Sequence, residues 1–188
     1  RNNISGDFNT ATGIQALKNT TTGSNNTATG RGSLESNTTG QDNTASGYYS
    51  LVSNTTGHYN TAMGREALRQ NVSGQYNSAF GQNALYNNTA SNNTAVGSHA
   101  LFATTTGSGN AAVGKGTLDA NTTGSNNSAL GANALGANTT GTSNVAVGTA
   151  ALEANTTASN NTAVGFYSLL ANTTGTDNTA VGRTSLSN

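Results

Sequence analysis

The sequence predicts an all-β protein, a parallel β-solenoid of the β-roll type with 17-residue rungs. Three observations lead there: a strict repeat, a composition of strand and turn formers with no Pro, and charges confined to a few repeat positions. Repeats open at Gly6, Gly23, Gly40, Gly57, Gly74, Ala90, Gly107, Gly124, Gly141, Ala158 and Gly175. That gives ten copies and a truncated eleventh over residues 175–188, so residues 1–188 read as one repetitive domain. One copy, Gly74 to Thr89, has 16 residues and has lost one beside Asn87-Asn88-Thr89. The consensus is G-S-N-N-T-A-V-G-x-x-A-L-x-A-N-T-T, with position 1 at Gly6. Position 4 is always Asn, position 6 Ala, position 8 Gly and position 12 Leu, while position 11 is Ala, Ser or Thr. A disordered spacer needs no such strictness.

A unit this short is one turn of a solenoid, since helix pairs and propeller blades need about 33–45 residues. Two runs in it look like strands, N-T-A-V-G and x-A-L-x-A-N-T-T, each meeting a turn at Gly or Asn. The lack of Pro leaves every rung able to donate its N–H groups to the next. A helix fails because Asn, Thr and Gly are all poor helix formers. Strand alternation puts positions 4, 6 and 8 on one face and positions 5 and 7 on the other. The small invariant residues then line a narrow interior closed by Leu of position 12. An inward Asn at position 4 should form a ladder, each amide bonding its copy one rung away and the backbone of its turn. Position 7 turns apolar along the chain, from Thr12 and Thr29 to Val164 and Val181, and is expected to pack outside its own roll.

Every charge except Arg1 falls at position 2, 3, 9, 10 or 13. Charges resist unpaired burial, so the charge-free positions should be interior or pressed against a neighbour. One Leu and one Ala per rung is a thin core against the entropy of ordering a whole turn of chain. With no Cys to staple it, association remains, through positions 5 and 7. Val96, Val113, Leu130, Val147, Val164 and Val181 are the predicted seam between chains.

The cadence S-N-N-T-A-V-G-x-x-A-L-x-A-N-T-T-G resembles the repetitive heads of trimeric autotransporter adhesins, and equally the shafts of bacteriophage tail fibres. The resemblance covers Gly6 to Leu186, with a repeat longer than the usual adhesin head by its A-L-x-A-N-T-T half. It implies a homotrimer of left-handed β-rolls around a threefold axis. Asn26-Thr27-Ala28-Thr29-Gly30 and its counterparts would be the inner strand, and segments such as Ala67-Leu68 the second. It also implies a structural, adhesive segment of a longer fibre, extracellular on a cell surface or virion. Its partners would be itself and a host-surface protein or glycan. A start at Arg1 rather than Met fits a fragment or processed product.

No catalysis, cofactor or metal is expected. His58 and His99 sit at different repeat positions more than two rungs apart, and the carboxylates are scattered too thinly for acid–base pairs. The glycine–aspartate pattern of calcium-binding rolls is missing. Seven basic and seven acidic side chains cancel, which argues against nucleic acid, and no stretch of about 18 apolar residues predicts membrane insertion. Aromatics share the variable positions with the charges: Phe8, Tyr59 and Tyr76 at position 3, Tyr48 and Phe166 at 9, Tyr49 and Tyr167 at 10, Tyr86 and Phe102 at 13. Such rings either stack on sugars or anchor a protein, or simply pack along the rung edge. Arg65, Glu66, Arg69 and Lys115 read as a solvated edge. The Asn-x-Thr/Ser triplets at Asn37, Asn54, Asn71, Asn121, Asn138, Asn155 and Asn172 match glycosylation acceptors but read as duplicated turn chemistry. The rival function is ice binding by a monomer through a Thr ladder at position 17, as at Thr39, Thr56, Thr123 and Thr140. Against it, the Thr pair of positions 16 and 17 is adjacent, where a T-x-T register on a flat face is needed.

Overall fold

The computed structural model describes residues 3–187, so Arg1 lies outside the described residues. Each rung supplies one strand at positions 5–7. These are β1 (Thr10–Thr12), β2 (Thr27–Thr29), β3 (Thr44–Ser46), β4 (Thr61–Met63), β5 (Ser78–Phe80) and β6 (Thr94–Val96). They continue as β7 (Ala111–Val113), β8 (Ser128–Leu130), β9 (Val145–Val147), β10 (Thr162–Val164) and β11 (Thr179–Val181). The eleven form one parallel sheet in chain order. The register joins like positions, Thr10 to Thr27 and Ala112 to Ala129, so the sequence period becomes a stack of equivalent residues. The parallel β-solenoid is therefore observed, with no helix among the described residues.

Alternation in the strands sends position 6 inward, and Ala28, Ala62, Ala95, Ala112 and Ala146 are fully buried. Leu of position 12 forms the opposite wall, fully buried from Leu34 to Leu152. The second run is not a strand, which corrects the sequence reading. In a strand, neighbours point to opposite faces, yet Ala134 and Leu135 are both fully buried. The backbone achieves this by alternating hand: φ is 135° at Gly131, 56° at Asn133 and 52° at Leu135. Leu135 N–H still reaches the next rung, donating to Ala151 O at 3.0 Å. Position 8 must be Gly on two counts. Its φ lies where L residues are strained, and a Cβ on Gly131 would sit 2.5 Å from Gly148 O.

The expected Asn ladder is present. Asn127 N–H donates to Asn110 Oδ1 at 3.0 Å, and Asn127 Nδ2 donates to the same oxygen at 3.2 Å and to Gly141 O at 2.9 Å. The sequence reading missed a second ladder at position 15. There Asn138 Nδ2 donates to Asn121 Oδ1 at 2.8 Å and to Gly141 O at 3.1 Å. Two amides thus converge on the position-1 carbonyl where position 15 is Asn, as at Gly40 and Gly141. The short rung breaks this second ladder: Asn88 Nδ2 turns to Ala90 O, Asn93 Nδ2 takes Asn88 Oδ1, and buried Asn71 Oδ1 is left without a partner.

A third economy of the turn explains Thr at position 16. The N–H groups of Thr122, Thr123 and Gly124 all donate to Thr139 O, at 2.9, 3.2 and 3.3 Å, and the Thr122 hydroxyl joins them at 3.0 Å. Charge-free positions are therefore not all interior. Positions 5, 7 and 17 face solvent, as at Thr27, Thr29 and Thr39. Nothing in a single roll keeps charge away from position 17.

Candidate functional site

The outer face of the sheet is the first surface. Strand register stacks position 7 into one column: Met63, Phe80, Val96, Val113, Leu130, Val147, Val164 and Val181. Alternation forces these side chains out because Ala of position 6 faces in. Six of them are exposed in the single chain, with Val113 at 38%, Leu130 at 51% and Val181 at 70%, while Val147 and Val164 are half-buried. A shallow apolar depression lies among Ala111, Val113, Leu130 and Val147. All six seam residues thus fall in one line, and Met63 and Phe80 extend it. The N-terminal rungs differ, since the outward pairs there are Thr10 and Thr12, Thr27 and Thr29, Thr44 and Ser46.

The edges of the roll are the second surface, and they split the aromatic candidates into three groups. At position 3, Tyr59 and Tyr76 stack on each other with centroids 5.0 Å apart. Near the C-terminal end, Phe166 stacks on Tyr167 at 3.9 Å with Arg183 over the Phe166 ring. The largest group brings together Tyr48, Tyr49, Tyr86 and Phe102. Position 10 of one rung abuts position 13 of the next, so Arg69 lies 6.0 Å from the Tyr49 ring and 5.5 Å from the Tyr86 ring. Tyr86 stacks on Phe102 at 5.2 Å, and His99 adjoins Phe102 at 5.3 Å. Arg31 lies 6.0 Å from Tyr48 and 5.9 Å from Tyr49. Sequence reading had the positions but not these meetings, and it overlooked Arg31.

The rungs that follow carry the carboxylates Asp119 and Glu153, with Asn133 and the bare Gly136 in the shallow cleft between them. Burial raises the Asp119 carboxyl above the ordinary aspartate value, and the nearby His99 charge partly offsets this. One of its oxygens, Oδ1, has no hydrogen-bond partner. Among the described residues no three His, Cys, Asp or Glu side chains gather.

Six of the seven triplet asparagines are interior, and Asn172 is half-buried. Asn37, Asn54, Asn71, Asn121, Asn138 and Asn155 are 0% exposed and hold the second ladder, so the folded roll offers none of these six to a glycosylating enzyme. The Thr ladder of position 17 is exposed, but its neighbours at position 16 spend their hydroxyls on backbone carbonyls. A single rank of hydroxyls is left. Set beside known protein families, curated proteins and solved structures, the chain matches none of them.

Proposed function

We propose that this chain is a structural, adhesive rod: a homotrimeric β-solenoid segment of an extracellular fibre, on a cell surface or a virion tail fibre, without catalysis. One observation carries the reading. A column of apolar side chains from Met63 to Val181, most of them exposed in the single chain, runs along a sheet face that bears no charge. Soluble monomers rarely leave so continuous an apolar surface in water. The core is correspondingly thin, so covering this column supplies burial that one roll lacks. Threefold closure follows the adhesin and tail-fibre resemblance, and it would place one position-7 side chain per chain at each layer of a shared seam.

Native mass spectrometry tests this directly. The wild type is expected as a trimer. Val147→Asp sets three like charges in a poorly hydrated seam and is expected to release monomers. A monomeric wild type ends the proposal.

A second reading draws on β1–β3, where Thr10/Thr12, Thr27/Thr29 and Thr44/Ser46 stand in register as outward hydroxyl pairs on one sheet face. Rungs about 4.8 Å apart give hydroxyls a lattice spacing suited to ice. This face, rather than the position-17 ladder, is where an ice-binding monomer would act. Inhibition of ice recrystallisation by a monomer, abolished by Thr27→Tyr, would favour it over the fibre.

A further inference from the structure

We infer that the edge of the roll over rungs two to six binds an acidic linear glycan, with Tyr48, Tyr49, Tyr86 and Phe102 as stacking platforms and Arg31 and Arg69 as its anion contacts. The inference rests on the adhesive reading and gives it a ligand.

The fold does not require these side chains. At the same positions, rungs eight and nine carry Ala132, Asn133, Gly136, Thr149 and Ala150, while the strands there keep the same register and the inward Ala and Leu stay buried. Rings and guanidinium groups are gathered where the repeat is free to vary, and gathered contiguously. Arg31 bridges Tyr48 and Tyr49, Arg69 bridges Tyr49 and Tyr86, and Tyr86 passes the stack to Phe102. Arg69 also donates from Nη1 to the Tyr86 hydroxyl, which fixes both groups.

Charge sets the sign of the ligand. Lys18 pairs with Glu35 at 3.7 Å and Arg65 with Glu66 at 3.8 Å. Arg31 and Arg69 have no carboxylate partner among the described residues, so the edge keeps two uncompensated guanidinium forks. A fork of this kind takes a carboxylate or sulfate in two parallel hydrogen bonds. Two free cations on this edge, in a chain of zero net charge, are too few to hold a nucleic acid backbone.

Shape sets the form of the ligand. The stripe runs from rung to rung, with rings on the third, fifth and sixth rungs and the guanidinium groups of Arg31 and Arg69 on the second and fourth, rungs being about 4.8 Å apart. A polymer of sugar rings presents the matching repeat: apolar C–H faces for the aromatic rings, and regularly spaced anions for the guanidinium groups.

The test uses the whole 188-residue chain and titrates size-defined oligosaccharides of heparin, of hyaluronan and of cellulose by calorimetry. Heparin tests for sulfate as the anion, hyaluronan for carboxylate, and binding of either one supports the site. Tyr49→Asn and Arg69→Glu use residues the repeat itself places at those positions (Asn83, Glu35), so the roll should survive both. Each is expected to weaken binding roughly tenfold, on the scale of one lost stacking ring or charge-assisted contact. Phe166→Ala, at the far end, should change nothing. Equal affinity for the uncharged cellulose oligosaccharide, no binding to either acidic one, or full affinity in both edge variants would overturn the inference. Masses of the same samples report self-association separately, so a failed site and a failed trimer remain distinguishable.

Discussion

Asn127→Ala probes the inner ladder most sharply, because its consequences can be followed atom by atom. The Asn127 amide donates to Asn110 Oδ1 and Gly141 O, and both acceptors keep another donor when it goes: the Asn127 N–H and Asn138 Nδ2 respectively. Its Oδ1 is different. It accepts the Asn144 N–H at 3.0 Å and Asn144 Nδ2 at 3.2 Å. Asn144 Nδ2 still has Ala158 O, but the Asn144 N–H is left buried with no acceptor. An orphaned buried donor costs about 1–3 kcal/mol, and the other lost bonds about 0.5–1 kcal/mol each, so the variant should lose about 3–4 kcal/mol. Asn138→Ala in the second ladder strands no backbone group, since Gly141 O keeps Asn127 Nδ2 and Asn155 Nδ2 keeps Ala158 O. It leaves the buried side-chain oxygen Asn121 Oδ1 without a donor and should cost about 2–3 kcal/mol. Urea unfolding followed by circular dichroism gives both values, and hydrogen exchange at the Asn144 amide locates the effect. A smaller loss in Asn127→Ala than in Asn138→Ala, or unchanged protection at Asn144, would refute the accounting.

Ala112→Leu overfills an interior with no free space and should cost about 1–3 kcal/mol, whereas Leu170→Glu at position 13 should fall within about 0.5 kcal/mol of wild type in the same unfolding assay. Gly131→Ala forces a side chain into a left-handed backbone against the next rung and should cost roughly 2–4 kcal/mol; a near-neutral result would mean the rungs slide freely. The raised pKa of Asp119 means the folded chain favours its protonated form, so its stabilising contribution is present below the ordinary aspartate range and lost as pH rises through the raised value. Asp119→Asn should therefore melt above the wild type near pH 7, with the gap closing near pH 3; parallel melting curves across that window would count against it.

The sequence made the rung readable because strand register requires equivalent residues to stack. A fixed period with invariant Asn, Ala and Gly could hardly fold otherwise, and the inward Ala, the Asn ladder and the outward position-7 column all followed from alternation. The same rule misled at A-L-x-A-N-T-T. Adjacent Ala134 and Leu135 both point inward, which needs alternating backbone hand, and Leu at positive φ leaves no mark in composition. The second ladder was hidden because Asn-Thr-Thr reads equally as a turn or a glycosylation site. Only burial decides between them. At the edge, Tyr49 and Arg69 occupy different repeat positions, and their meeting depends on the pitch of the roll rather than on any spacing within one repeat.

Access of water accounts for which positions vary along the chain. At position 4 the Asn oxygen is the acceptor for a buried backbone N–H one rung on, and no rung carries anything else. At position 15 the amide leaves no backbone group stranded when it is lost, because the carbonyl it bonds has another donor, and Thr20 and Thr104 replace Asn. At position 2 a side chain accepts the backbone N–H of the preceding rung in some rungs, as Ser24, His58, Ser125 and Ser159 do. That N–H lies near the surface, where water can take over, and the position accepts Asp, Gln and Thr as well. Variation thus rises as the group left behind becomes easier to hydrate. Positions 9, 10 and 13 are the extreme case, because their side chains satisfy no backbone group of another rung apart from rare instances. Residues there are released from the fold, and aromatic rings with free guanidinium groups gathered on consecutive rungs call for a cause outside it.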